Sequence, residues 1–256
     1  MPAGWAGRGL STGREPGAGN ADAMSDAVLK VLGLDTSTPR GSVALLAGRE
    51  VMGDLRLLSG DQHSARLLNS IDFLLQNCGW VLSQLNLIAV GIGPGSFTGI
   101  RIGVSTALGL AQSLSCPLAC VSGLDALAHE MSFLEGRIGI VMDAQRLQVY
   151  YAEYDASQGQ VRKMRRPGLW FPSDLEPELG RKPLFVAGDG AVRYARDLRV
   201  SAKGRRRLVV VDLFLAAAIA RLALTRRRSW RSGDFLKAEP LYIRPPDALR
   251  SRGNRR

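Results

Sequence analysis

The 256-residue chain has little cysteine, little histidine and no long apolar run. Three cysteines, Cys78, Cys116 and Cys120, cannot build a disulfide framework, which points to a reduced, cytoplasmic setting. Cys116 and Cys120 flank Pro117 as C-x-x-x-C with no second pair, poor zinc spacing. The two histidines, His63 and His129, are far apart, and no H-x-x-x-H pair exists, so a zinc hydrolase lacks its ligands. The longest apolar stretch, Leu213–Ala220, is too short to span a bilayer, so no membrane role is expected.

What the chain has in excess is positive charge, +11 in all. It is not evenly spread. Residues 161–256 carry 24 Lys and Arg against 9 acids, and residues 24–160 carry 8 against 12. A basic second half beside a mildly acidic first half suggests two subdomains with different neighbours. Residues 1–23 are Gly- and Ala-rich without apolar periodicity and read as a flexible tail or a mis-set start ahead of Met24. The expected division is residues 24–134, residues 135–245 and a disordered tail over 246–256.

Residues 29–35, 41–47 and 50–57 read as three consecutive strands, with Gly48-Arg49 as a hairpin turn. In residues 64–78 the period changes: Leu67, Leu68, Ile71, Leu74 and Leu75 mark an amphipathic helix that stops at Gly79. A buried strand over 85–92 leads to a helix over 98–113 with Thr98 as its cap. A short strand over 117–121 and a helix over 123–131 follow. The second half repeats the opening. Strands are expected at 137–143, 148–155, 161–170, 183–187 and 207–211. A helix follows Gly188-Asp189-Gly190, and another follows Asp212 as cap. Each half therefore starts with a strand ending in an aspartate, Asp35 or Asp143, a weak internal repeat.

The densest signal is Gly91-Ile92-Gly93-Pro94-Gly95-Ser96-Phe97-Thr98-Gly99-Ile100-Arg101-Ile102-Gly103, between a strand and a helix. It has no lysine for a P-loop, and its third glycine falls one residue too late for G-x-G-x-x-G. The loop alone admits a phosphate cradle or a structural turn. In the helix that follows, Gly99, Gly103, Ala107 and Ala111 recur every four residues. Interior glycine costs a helix about 1 kcal/mol relative to alanine, so such a stripe implies close approach of another backbone. That backbone belongs either to this chain's own sheet or to a partner helix.

LGLDTSTPRGSVALL, GIGPGSFTGIRIGVSTALGLA, Asp143-Ala144-Gln145 with VYYAEYD, and EPLYIR together resemble the TsaB (YeaZ) family over residues 29–245. The resemblance implies an α/β fold of the actin/Hsp70-like ATPase (ASKHA) type with two βββαβα subdomains. It implies a non-catalytic subunit that pairs with TsaD. TsaD transfers a threonylcarbamoyl group to N6 of adenosine 37 in tRNAs reading ANN codons. TsaE is expected in the larger complex, tRNA as its substrate, and a homodimer when the chain is alone. Pairing would use Leu67, Leu68, Ile71 and Leu75 of the first helix with Gly99, Gly103, Ala107 and Ala111 of the second. Asp35, Thr36, Ser37, Asp143, Gly188, Asp189 and Gly190 would form a degenerate nucleotide cleft, with no metal, no catalytic residue and at most weak ATP or ADP binding. Lys203, Arg205, Arg206 and Arg207 are candidates for tRNA contact through phosphate. An active ATPase or small-molecule kinase of the same fold, and a stand-alone tRNA-binding protein, are the rival readings.

Overall fold

The computed structural model describes residues 28–58, 63–230 and 241–243. Alternating apolar residues start a three-stranded meander: β1 (Lys30–Asp35), β2 (Arg40–Ala47) and β3 (Glu50–Leu58). The β2–β3 turn puts Gly48 at φ +58°, where a side chain would be strained. Helix α1 (His63–Asn77) ends at Gly79, φ +65°, where the Trp80 amide donates back to the Leu75 carbonyl. β4 (Leu87–Gly91), α2 (Phe97–Leu114), β5 (Leu118–Val121) and α3 (Gly123–Glu130) complete the first half.

The second half runs β6 (Gly136–Asp143), β7 (Val149–Ser157), β8 (Gln160–Trp170), α4 (Pro172–Glu178), β9 (Leu184–Ala187), α5 (Asp189–Arg193), β10 (Arg206–Leu208) and α6 (Ala216–Thr225). The first sheet has the order β3-β2-β1-β4-β5 and the second β10-β9-β6-β7-β8. Read from the opposite edge, the second order is the first again, with an antiparallel meander and two parallel strands. The repeat suspected from the two aspartates is a duplication of topology.

The layers explain the strand patterns. Leu32, Leu34, Val43, Leu45, Ile88 and Val90 face one way and pack beneath α1 and α2. Val31, Ala44, Leu46, Leu87 and Ala89 face the other way and are covered by α6. Gly33 permits that cover, because a Cβ there would stand 2.2 Å from the Ala216 carbonyl oxygen. Ser42 Oγ accepts from the Ala216 amide at 3.0 Å, satisfying a first-turn donor of α6. Helix α3, although part of the first half, packs on β6 and β8. The expected boundary at 134/135 thus separates the two sheets but not their helices, which cross over. One apolar core runs between the sheets.

Several local expectations are corrected. Ser96, not Thr98, caps α2: its Oγ accepts from the Gly99 amide at 3.2 Å. Asp212 does not cap α6; its carboxylate closes a turn onto the Phe214 amide, and the helix starts at Ala216. β10 spans Arg206–Leu208 rather than 207–211. Helix α4 was not anticipated, although Pro172 at its start and Asp174 in its first turn suit a helix N-terminus. Residues 1–23 and 246–256 lie outside the described residues.

Candidate functional site

Asp35 ends β1, and residues 36–39 turn into β2. The glycine-rich segment leaves β4 and folds onto that turn. The Ser96 amide donates to the Ser37 carbonyl at 2.7 Å, and Thr36 Oγ1 donates to the Gly99 carbonyl at 2.7 Å. The glycines make this approach possible: a Cβ on Gly95 would be 2.0 Å from Ser37 O, and one on Gly99 would be 2.1 Å from Thr36 O. Gly93 sits at φ +94°, and the Gly93–Pro94 peptide is cis. Of the first-turn amides of α2, that of Gly99 is already taken by Ser96 Oγ, and the Ile100 amide makes the first regular helical bond to Ser96 O. Of the two readings the loop admitted, the geometry is that of a structural seal.

Under the seal, Asp35, Thr36 and Ser37 are buried. Burial pushes the Asp35 carboxyl up to about 6, against the lowering pull of hydrogen bonds from Ser37 and Thr36. Asp35 Oδ2 and Ser37 Oγ have no hydrogen-bond partner. The carboxylate is walled in from β4 as well, since a Cβ on Gly91 would stand 2.5 Å from its Oδ1.

The second-half residues do assemble, and arginines neutralise their two carboxylates. Asp189 Oδ1 accepts from the Asp143 and Gly190 amides at 2.9 and 3.0 Å. Its Oδ2 pairs with Arg40 of β2 at 3.3 Å, which links the two halves. Asp143 Oδ2 pairs with Arg193 at 2.5 Å, and the Gln145 amide donates to its Oδ1. Gly188, at φ +109°, lies against the Val141 carbonyl.

Between these groups is a cleft of about 490 Å³, bordered by Thr38, Pro94, Phe97, Asp143, Gln145 and Tyr242. Sequence reasoning did not assign the aromatic pair. The Leu241 amide donates to the Ile92 carbonyl at 2.8 Å, which brings Tyr242 to 4.9 Å from the Phe97 ring. Arg101 lies over the other ring partner, 3.9 Å from the Phe97 centroid. The EPLYIR motif was visible in the sequence, but nothing there said that it reaches the glycine-rich loop.

The expected pairing residues are mostly turned inward. Leu67, Ile71 and Leu75 sit in the core between α1 and the first sheet. Gly99, Gly103, Ala107 and Ala111 face the same sheet. A Cβ on Gly103 would be 2.5 Å from Thr36 Oγ1. The small-residue stripe thus packs on this chain's own sheet and aspartate turn, and of the eight only Leu68 is exposed. Among the basic candidates, Lys203, Arg205 and Arg207 are exposed, whereas Arg206 is not available for phosphate. It bonds Glu176 Oε1 at 2.8 Å and the carbonyls of Leu198, Glu176 and Gly180.

Among the described residues no cluster of His, Cys, Asp or Glu could hold a metal, and no helix is long and apolar enough to cross a membrane. Cys116 is buried with its thiol against the Leu85 carbonyl, but it lies just before β5 rather than in it, and Cys120, inside β5, is half-buried.

A family model described as "TsaD: tRNA N6-adenosine threonylcarbamoyltransferase" matches residues 57–176. A Haemophilus influenzae protein named tRNA threonylcarbamoyladenosine biosynthesis protein TsaB is 30% identical over 84% of this chain and 94% of its own length. A Bacillus subtilis protein of the same name is 35% identical over 53% of this chain, but the alignment spans only 59% of that relative. The structure of YeaZ from Pseudomonas aeruginosa superposes with a TM-score of 0.71 at 30% identity, covering 84% of this chain and 99% of that one. The duplicated sheets, the sealed aspartate turn and these likenesses agree on an ASKHA-type fold, and the chain belongs to the TsaB (YeaZ) family.

Proposed function

We propose that this chain acts in tRNA threonylcarbamoyladenosine biosynthesis as a non-catalytic subunit that pairs with TsaD and sustains its transfer reaction in the cytoplasm. The role in this pathway comes from the names of its relatives. The observation that carries the non-catalytic part is the seal over Asp35–Ser37. In an active ATPase of this fold that turn must open to phosphate and metal, and here the chain's own loop fills it. Asp143, the second carboxylate such an enzyme would use, is held by Arg193. No resident cofactor belongs to this reading. A nucleotide would reach the open cleft but not the aspartate beneath it.

The pairing surface lies on the outer side of α1, where Leu68 and Phe73 are each 55% exposed. These two residues replace the inward-facing stripe as the anchors, because a docked apolar side chain must first be accessible. TsaE and the substrate tRNA complete the expected assembly, and the chain forms a homodimer when alone.

Reconstitution tests the proposal. TsaD with tRNA and threonylcarbamoyl-adenylate should modify adenosine 37 efficiently only when this chain is present. The double variant Leu68→Asp, Phe73→Asp should fold normally and neither co-purify with TsaD nor support modification. A steady ATP turnover by the chain alone, at ordinary enzyme rates, would favour the ATPase reading and overturn this one.

A further inference from the structure

The second sheet has a charged edge that the sequence did not display as one feature. Parallel pairing aligns Arg206 with Leu184 and Arg207 with Phe185, and the Leu184 amide donates to the Arg205 carbonyl at 3.0 Å. The chain just before β9 therefore lies beside the chain entering β10. This brings Arg181 and Lys182 next to Lys203, Arg205 and Arg207, and all five side chains are exposed. Residues 179–208 hold nine Lys and Arg against two Asp.

Three features distinguish this edge from a merely basic surface. First, a strand alternates its side chains, so Arg207 faces out while Arg206 points inward, and Arg205, just before the strand, is exposed as well. Second, Arg206 fixes the edge: its guanidinium bonds the Gly180 carbonyl, the Glu176 carbonyl and carboxylate, and the Leu198 carbonyl. The two segments bearing the exposed cations are thus tied together by a cation of their own. Third, Glu176, the neighbouring carboxylate, is already engaged by Arg206 and Arg199. The other basic cluster, on β8, is different, because Lys163 pairs with Asp125 and Arg165 with Glu178.

We infer that the β9–β10 edge is a phosphate-backbone docking surface for RNA on this chain itself. The occupant is a polyanion with regularly spaced phosphates, because the cations sit on a fixed strand edge and adjoining turns. A basic surface made to lie on a membrane is typically an amphipathic helix. Base edges are not read here, so the contact orients and strengthens without selecting sequence. The inference does not depend on pairing with TsaD, since the edge belongs to the second sheet and the pairing surface to helix α1 over the first.

Fluorescence anisotropy of the full chain with a labelled RNA stem-loop, titrated across salt concentrations, tests it. The variant Arg181→Gln, Lys182→Gln, Lys203→Gln, Arg205→Gln should bind at least about tenfold more weakly near physiological salt. Its log-log salt slope should be shallower by about four, roughly one per lost phosphate contact. A charge-matched control, Arg162→Gln, Arg166→Gln, Arg227→Gln, Arg228→Gln, should keep most of the affinity. Equal losses in both variants would reduce the effect to net charge and overturn the site. So would the absence of RNA binding by the unmodified chain, or tighter binding to anionic phosphatidylserine vesicles than to RNA. Retained TsaD co-purification by the first variant would keep a failure here separate from a failure of the pairing proposal.

Discussion

Gly95 lies so close to Ser37 that a methyl group at position 95 would stand 2.0 Å from the Ser37 carbonyl oxygen. That pair closes the glycine-rich loop over the aspartate turn, with the Ser96 amide bonded to the same oxygen. Gly95→Ala must push two backbone segments apart and should cost about 1–3 kcal/mol. Gly109, on the exposed side of α2, meets nothing within 4 Å, so Gly109→Ala should stabilise by up to about 1 kcal/mol. Urea denaturation of the two variants checks both signs.

Asp35 should impose a pH dependence on stability. Burial pushes its carboxyl up from an ordinary 3.8 to about 6 in the folded protein. A raised folded value means that the native state holds the proton more tightly than the unfolded chain. The resulting stability is complete below pH 4 and is lost as pH rises through 6. The difference corresponds to about 3 kcal/mol at neutral pH. Asp35→Asn should therefore raise the urea midpoint at pH 7.5 and flatten its change between pH 4 and 6.5. Parallel curves for the two proteins would refute the assignment.

Arg206 and Arg205 are neighbours in sequence with opposite duties. Arg206→Leu removes a buried guanidinium that serves three carbonyls and Glu176, and should cost about 2 kcal/mol or more. Arg205→Ala should leave stability within about 0.5 kcal/mol. Thermal melts followed by circular dichroism distinguish them.

The three thiols should react unequally. Burial pushes the Cys116 thiol up to about 11. Cys78 and Cys120 are partly accessible. Iodoacetamide at pH 8 should spare Cys116 in the native protein, and urea should remove that protection. Mass mapping of the labelled peptides reads the result.

The strand and helix order was legible because period 2 and period 3.6 are strong signals over residues 29–75 and 136–170. The end of α1 was legible because only glycine adopts the backbone of residue 79 freely. Facing was not legible. The spacing of Gly99, Gly103, Ala107 and Ala111 shows that a backbone comes close, but it cannot say whose. Here Gly99 meets the Thr36 carbonyl and Gly103 the Thr36 hydroxyl of the same chain. Nor did the run Arg205-Arg206-Arg207 reveal that Arg206 turns inward, because strand alternation matters only once the start of the strand is known. The Phe97–Tyr242 contact joins segments so distant in the chain that no local pattern encodes it.

The crossing of α6 onto the first sheet has a consequence for synthesis. Val31, Ala44, Leu46, Leu87 and Ala89 are made early, but the helix that covers them comes only at residues 216–225. While the intervening residues are translated, that face of the nascent first half lacks its native cover. The exposed strands would be open to wrong associations for most of the time the ribosome needs to finish the chain. The first half is therefore not an independent folding unit, and its stability arrives with α6.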